Sequence, residues 1–167
     1  ADMIILDDEI KQRFQSDIDN AVTGQYNNWL DNAQRTLALI ILVDQFCRQV
    51  YRNSAKAFEF DHLAQQWANH ALMEGYDRVV FPVQRLFLYL PFEHSENVKD
   101  QALSVSLFEK LRDENKHDKQ FEGFLDFAIR HKVVIDRFGR FPHRNQVLGR
   151  ETTPEEKIFL DSKKSPF

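Results

Sequence analysis

The sequence predicts an all-α fold, a single-domain antiparallel array of seven to eight helices over residues 1–167. Three observations carry that expectation. Glycine and proline number only five each in 167 residues, against a usual combined share of about 12%. A many-stranded sandwich or barrel needs far more turn punctuation. Apolar residues recur at helical spacing, and no run of strand-type alternation competes with them. Helix start and stop residues flank the periodic stretches. The chain is long enough for one domain with a sizeable core. Its 43% hydrophobic and 29% charged residues, with fifteen Phe, argue against disorder.

Leu6, Ile10, Phe14 and Ile18 fall at intervals of four and define a first helix, with two acids near its start. A second helix begins near Asp31, where Asp31-x-x-Gln34 reads as a capping box, and runs to about Val50. Its Leu37–Val43 stretch is apolar all round, which predicts a buried, central helix. After the turn at Asn53-Ser54, Asp61 is placed to cap a helix with Leu63, Trp67 and Ala71 on one stripe, ended by Gly75. Pro82 suits the first turn of the next helix, and Pro91 bends or stops it. Ser95 is the expected cap of a helix stacking Leu103, Leu107 and Leu111. A polar loop follows over 113–119. Phe121 to Phe138 reads as a long helix closed by Gly139, with Phe124, Phe127, His131, Val134 and Phe138 on its apolar stripe. Pro142 to Leu148 is a short helical turn. Thr153-Pro154-Glu155-Glu156 then combines an N-cap, Pro at N1 and a capping-box Glu.

Several polar residues fall where chemistry is possible. Asp44, Arg48 and Arg52 share one helix face, and Asp44 follows seven apolar residues, so its carboxylate needs a partner. The bland reading is an ion pair with Arg48; the sharper one is the floor of a polar pocket. Arg85 precedes Leu-Phe-Leu-Tyr-Leu, company that predicts a partly buried, bidentately paired guanidinium. Glu93 and His94 are an adjacent acid and imidazole, able to do acid–base work only if the backbone is irregular near Pro91. His131 lies on an apolar helix face, where a hydrogen-bonded core histidine is the plain alternative to a ligand-binding one. No metal-binding motif, phosphate loop or nucleophile elbow is visible, so no metal or cofactor is expected. Cys47 reads as a small apolar filler.

From Arg130 to Arg150 there are five Arg and one Lys against one Asp, a balance of +5, so the remainder carries −9 of the total −4. The centre, Arg137-Phe-Gly-Arg140-Phe-Pro-His143-Arg144-Asn145, interleaves arginine with aromatics. That pattern suits an anionic ligand held by Arg140 or Arg144. The overall acidity and short patch disfavour nucleic acid. The alternative is internal pairing of these arginines with Asp44, Glu93, Glu96 and Glu151.

Val43–Arg52, Arg85-Leu-Phe-Leu-Tyr-Leu-Pro-Phe-Glu-His-Ser-Glu96, Phe127-Ala-Ile-Arg-His131 and Arg137–Asn145 followed by Leu-Gly-Arg-Glu stand in a distinctive order. Together with the final Thr-Pro-Glu-Glu they resemble the bacterial domain-of-unknown-function 924 family over roughly residues 9–160. The resemblance implies a tetratricopeptide-like superhelical fold and supplies no catalytic roles. Family members usually carry Pro at the position of Cys47 and Asn at that of Gln49, and an aromatic-rich helix ahead of Glu9 that this sequence does not show.

The resulting expectation is a cytoplasmic helical binding module for an anionic peptide segment or metabolite. Its candidate residues are Asp44, Arg48, Arg85, Glu93, His94, His131, Arg140, His143 and Arg144. One alternative is an enzyme using Glu93, His94 or His143 as acid or base with an arginine anion clamp. The other is a structural protein whose charges satisfy one another. The lone cysteine suits a reducing compartment. Neither a signal peptide at the start nor a membrane span is expected.

Overall fold

The computed structural model describes residues 2–162, with side chains from residue 6 onward, and among these the chain is all-α with no strand. It divides into two compact units, Ala1–Pro91 and Phe92–Phe167. The α-helical segments are α1 (Asp2–Val22), α2 (Ala33–Ile40), α3 (Cys47–Val50), α4 (Asp61–Met73), α5 (Pro82–Glu93), α6 (Val98–Glu114), α7 (Gln120–Phe138) and α8 (Pro154–Leu160). The unit boundary falls inside α5, at Pro91.

In the first unit α1 buries Ile10, Ile18 and Ala21, while Leu6 at the head of the predicted stripe is half exposed. The second predicted helix does run to Val50, but as α2, a π-helical turn over Ile41–Phe46, and α3. Leu37, Leu39, Ile40, Leu42, Val43 and Cys47 are all buried, as the all-round apolar pattern requires. Its cap is Asn32, not Asp31. The Asn32 side chain accepts from the Gln34 and Arg35 N–H groups, while Asp31 ends a 3₁₀ turn over Asn27–Asp31. Both residues have capping chemistry, and the extended backbone of Asn32 decides between them.

Asp61 likewise lies inside the first turn of α4, whose N-cap is Phe60. Its carboxylate instead takes both arms of Arg48, at 2.9 and 3.0 Å. Arg48 also donates to the Asp44 carbonyl at 2.6 Å and lies 3.6 Å from the Asp44 carboxylate. Alanines 64, 68 and 71 bury beside Trp67 and let α4 approach α2 closely. Gly75 ends the helix with φ 70°, the left-handed stop read from the sequence.

In the second unit α6 and α7 pack against each other as a helical hairpin joined over residues 115–119. The inward face of α6 differs from the expected leucine row. Gln101, Ser104, Phe108 and Leu111 are buried, whereas Leu103 is exposed. Gln101 turns inward because its amide serves the carbonyls that end α5, donating to Phe92, Glu93 and Ser95 at 3.4, 2.6 and 2.7 Å. Asn97 caps α6, and Ser95 accepts from the Asn97 N–H while donating to Asp100. Helix α7 presents Phe121, Leu125, Ala128, His131, Val134 and Ile135 inward, and Phe127 is left exposed. The stripe is rotated from the one read off the sequence because α7 is apolar on more than one face. Small Ala128 marks the side that approaches α6. Gly139 closes α7 at φ 68°, and the Thr153–Glu156 capping box is formed at α8. Phe141 inserts beside Val134 and Ile135 to complete this core.

Arg48 holds a carboxylate that is only 1% exposed. Arg48→Ala should therefore destabilise the protein by about 3–5 kcal/mol in urea unfolding. Arg13→Ala, which breaks the exposed pair with Glu9, should cost less than about 1 kcal/mol.

Candidate functional site

The candidate residues separate by unit. Asp44, Arg48 and Arg85 belong to the first, and Glu93, His94, His131, Arg140, His143 and Arg144 to the second. Five of the latter six come together. The end of α5 carries Glu93 and the residue after it is His94, α7 carries His131, and the 3₁₀ turn Pro142–Arg144 carries His143 and Arg144. Gln101 fixes the first of these segments by its three amide bonds.

A chain of ion pairs fixes the other. Glu96 accepts from the Phe141 N–H at 2.7 Å and from both arms of Arg150 at 2.7 and 3.0 Å. Arg150 donates onward to the Phe141 carbonyl and to Asn145, each at 3.0 Å, and Asn145 donates to Glu156 at 3.1 Å. Glu156 takes Arg140 bidentately at 2.6 and 2.9 Å. That pairing, with the Thr153 N–H, holds its carboxyl down at about 2. Burial works against ionisation of Glu96, yet Arg150 and the Phe141 N–H keep its carboxyl below the ordinary range. Arg140 is thus engaged in the scaffold by Glu156, and Arg137 by Glu155.

Phe141 is the hub of the site. The His131 ring meets it edge-on at 5.6 Å, His143 lies 5.7 Å away, and the Arg144 guanidinium stacks over it at 4.6 Å. His94 approaches His131 at 6.3 Å, and Arg144 donates to the His94 carbonyl at 3.0 Å. His131 Nδ1 lies 2.9 Å from the Phe127 carbonyl and 3.3 Å from the buried Glu93 carboxylate. The Phe127 carbonyl can only accept, so Nδ1 carries the ring proton of the neutral imidazole.

Burial, opposed by the hydrogen bond to the Phe127 carbonyl and aided by His94, Arg144 and Arg130, pushes the His131 imidazolium down to about 4. Burial and then Arg144 lower His143 to about 3. Both rings are neutral at pH 7. Neutral imidazoles beside a fixed guanidinium can donate to, accept from or take a proton with an anion. Among the described residues no group of three or more His, Cys, Asp or Glu is placed to hold a metal ion. Cys47 is fully buried and its thiol is pushed up to about 12, which makes it inert.

The sequence pattern singles out the candidate side chains but not Gln101, Asn145 and Glu156 as the residues that position them. A polar residue inside a helical pattern was the available sign for Gln101, and the capping box pointed to Glu156 only as a cap.

No curated protein matches the chain. A solved structure of a protein of unknown function from Agrobacterium tumefaciens is similar at 36% identity and TM-score 0.86, covering 95% of this chain and 85% of that one. No helix among the described residues is long and apolar enough to cross a membrane. The sequence profile of the bacterial proteins of unknown function DUF924 matches residues 4–164, and the chain belongs to that family.

Proposed function

We propose that the chain binds a small anionic metabolite, carboxylate or phosphate, at the cluster around Phe141. The observation that carries this reading is the gathering of His131, His143 and the Arg144 guanidinium on the Phe141 ring, with His94 beside His131. Arg144 supplies fixed positive charge, and the imidazoles supply hydrogen bonds and proton capacity. Glu93 opposes negative charge beside His131, so the anion belongs on the side of His143 and Arg144. The half-buried His94 and His143 give that side its access to solvent. An acidic peptide would present the same group in a bulkier form. The buried, unreactive thiol suits a reducing cytoplasm.

A second reading has its own observation. Glu93 and the Phe127 carbonyl orient the His131 ring at Nδ1, as in a catalytic acid–base pair. In that reading the protein is an enzyme, and Arg144 positions its substrate.

Inorganic phosphate and succinate serve as probes in thermal-shift and calorimetric titrations. A specific site should add about 2.7 kcal/mol of stability at a hundredfold excess over Kd. Arg144→Gln should weaken binding by about tenfold or more, in line with loss of a charge-assisted hydrogen bond. Absence of saturable binding by either anion, or indifference to Arg144→Gln, sinks the proposal.

Without ligand, the stability of the protein should fall as pH drops from about 6.5 towards 4. His143, facing Arg144, His131, His94 and Arg150, resists protonation in the fold but not in the unfolded chain. The unfolded state therefore binds more protons in that window, with a slope of at most ~1.4 kcal/mol per pH unit for each such histidine. His143→Asn should flatten the profile. Long-range proton–nitrogen NMR at pH 7 should report His131 as the Nδ1–H tautomer, and the Nε2–H form would remove the acid–base reading.

A further inference from the structure

The first unit holds a cavity of about 270 Å³ lined by Phe14, Asp17, Trp29, Ala38, Ile41, Leu42 and Phe46. Its existence follows from the π-helical turn. The extra residue per turn over Ile41–Phe46 widens the helix where Ile41, Leu42 and Phe46 face α1. Three of its seven lining residues are aromatic. Phe14 and Phe46 meet at 4.8 Å with a 46° tilt. Trp29 is backed by Tyr26 in a parallel stack at 4.3 Å. Only Leu42 among the lining residues is buried; the others are half-buried, so the space is reached from solvent.

One lining residue does not belong in an apolar pocket. Asp17 is held by the Tyr26 hydroxyl, which donates to Oδ1 at 2.7 Å and itself accepts from Asn20 at 3.2 Å. That bond orients the carboxylate without neutralising it, and among the described residues no cation pairs with Asp17. Arg13, one turn earlier, is engaged by Glu9 at 3.1 Å and lies over Phe14 at 5.1 Å. An anionic group among aromatic faces combines the two features that recognise a cation on an apolar stem: the ring quadrupole and a carboxylate counter-charge. A dry cavity of about 150 Å³ already accepts benzene, so this one has room for a ring with a short side chain.

We propose that this pocket binds an organic ammonium ion, with the apolar body against Phe14, Trp29 and Phe46 and the charge at Asp17. The same chemistry is offered by a free amine and by a lysine side chain of a partner protein. The site uses none of the residues of the anion site in the second unit.

The test titrates the full chain with 2-phenylethylammonium, following Trp29 fluorescence, with Trp29→Phe identifying which of the two indoles responds. The neutral isostere 2-phenylethanol and the anion phenylacetate are comparators. The ammonium should bind about tenfold more tightly than the alcohol, and phenylacetate more weakly than both, as expected for a cation held by π faces and a carboxylate. Asp17→Asn retains an acceptor for Tyr26, so it should erase the preference for the ammonium while leaving the alcohol's affinity in place. A further arm uses Nα-acetyl-lysine methyl amide. Tighter binding of this compound than of the aromatic amine assigns the source to a protein side chain, and the reverse assigns it to a free amine. Equal affinity for ammonium and alcohol, an unchanged preference in Asp17→Asn, or no saturation by any compound overturns the proposal.

Discussion

Glu96 accepts hydrogen bonds from residues that lie 45 and 54 positions further along the chain. Its carboxylate holds the Phe141 N–H and the Arg150 fork together, and Arg150 returns a hydrogen bond to the Phe141 carbonyl. Phe141 is thereby clamped at both backbone polar groups while its ring, fully buried, packs on Val134 and Ile135. The geometry of the second unit depends on that clamp. With the ring fixed, His131, His143 and Arg144 are fixed around it. A carboxylate with three charge-assisted or backbone partners keeps its ionised form despite partial burial.

The basic segment takes on a different meaning in this light. Most of its positive charge is structural: Arg130 faces Asp126, Arg137 faces Glu155, Arg140 faces Glu156 and Arg150 faces Glu96. Arg144 is used differently, with its guanidinium over Phe141 and one arm on the His94 carbonyl. The resulting positive potential, added to burial, keeps His131 and His143 neutral. Neutral imidazoles in a low-dielectric pocket gain most from an arriving negative charge, because it relieves both obstacles to their protonation.

The two units use buried polar groups in parallel ways. In the first, Arg48 bridges the Asp44 carbonyl and the Asp61 carboxylate across the π turn. In the second, Gln101 gathers the carbonyls at the end of α5. Each device satisfies backbone groups where a helix departs from regular geometry, at the π turn and at the α5 terminus after Pro91. Each also leaves neighbouring side chains at fixed positions, which is why both candidate sites adjoin an irregular helix segment.

The all-α class, the order of the helices, the glycine stops at Gly75 and Gly139 and the Thr153–Glu156 capping box were legible in one dimension. All of them rest on hydrogen bonds between residues a few positions apart, which local spacing specifies directly. Asp44 as a carboxylate needing a partner was legible too, since seven apolar residues before it announce burial. The choice between neighbouring caps, Asn32 over Asp31 and Asn97 over Ser95, was not, because both candidates have the chemistry and only the backbone angles select one. The rotation of the α6 and α7 faces, the π turn and the long-range pairing of Arg48, Arg137, Arg140 and Arg150 were decided by tertiary structure alone. Those features depend on which of several suitable partners is near in space, across separations of ten to more than fifty residues, and no spacing rule reaches that far. The sequence by itself thus determined which helices form and which polar side chains stand as candidates. The tertiary fold decided that Arg140 is engaged by the scaffold, and that His131, His143 and Arg144 meet on the ring of Phe141 with His94 beside His131.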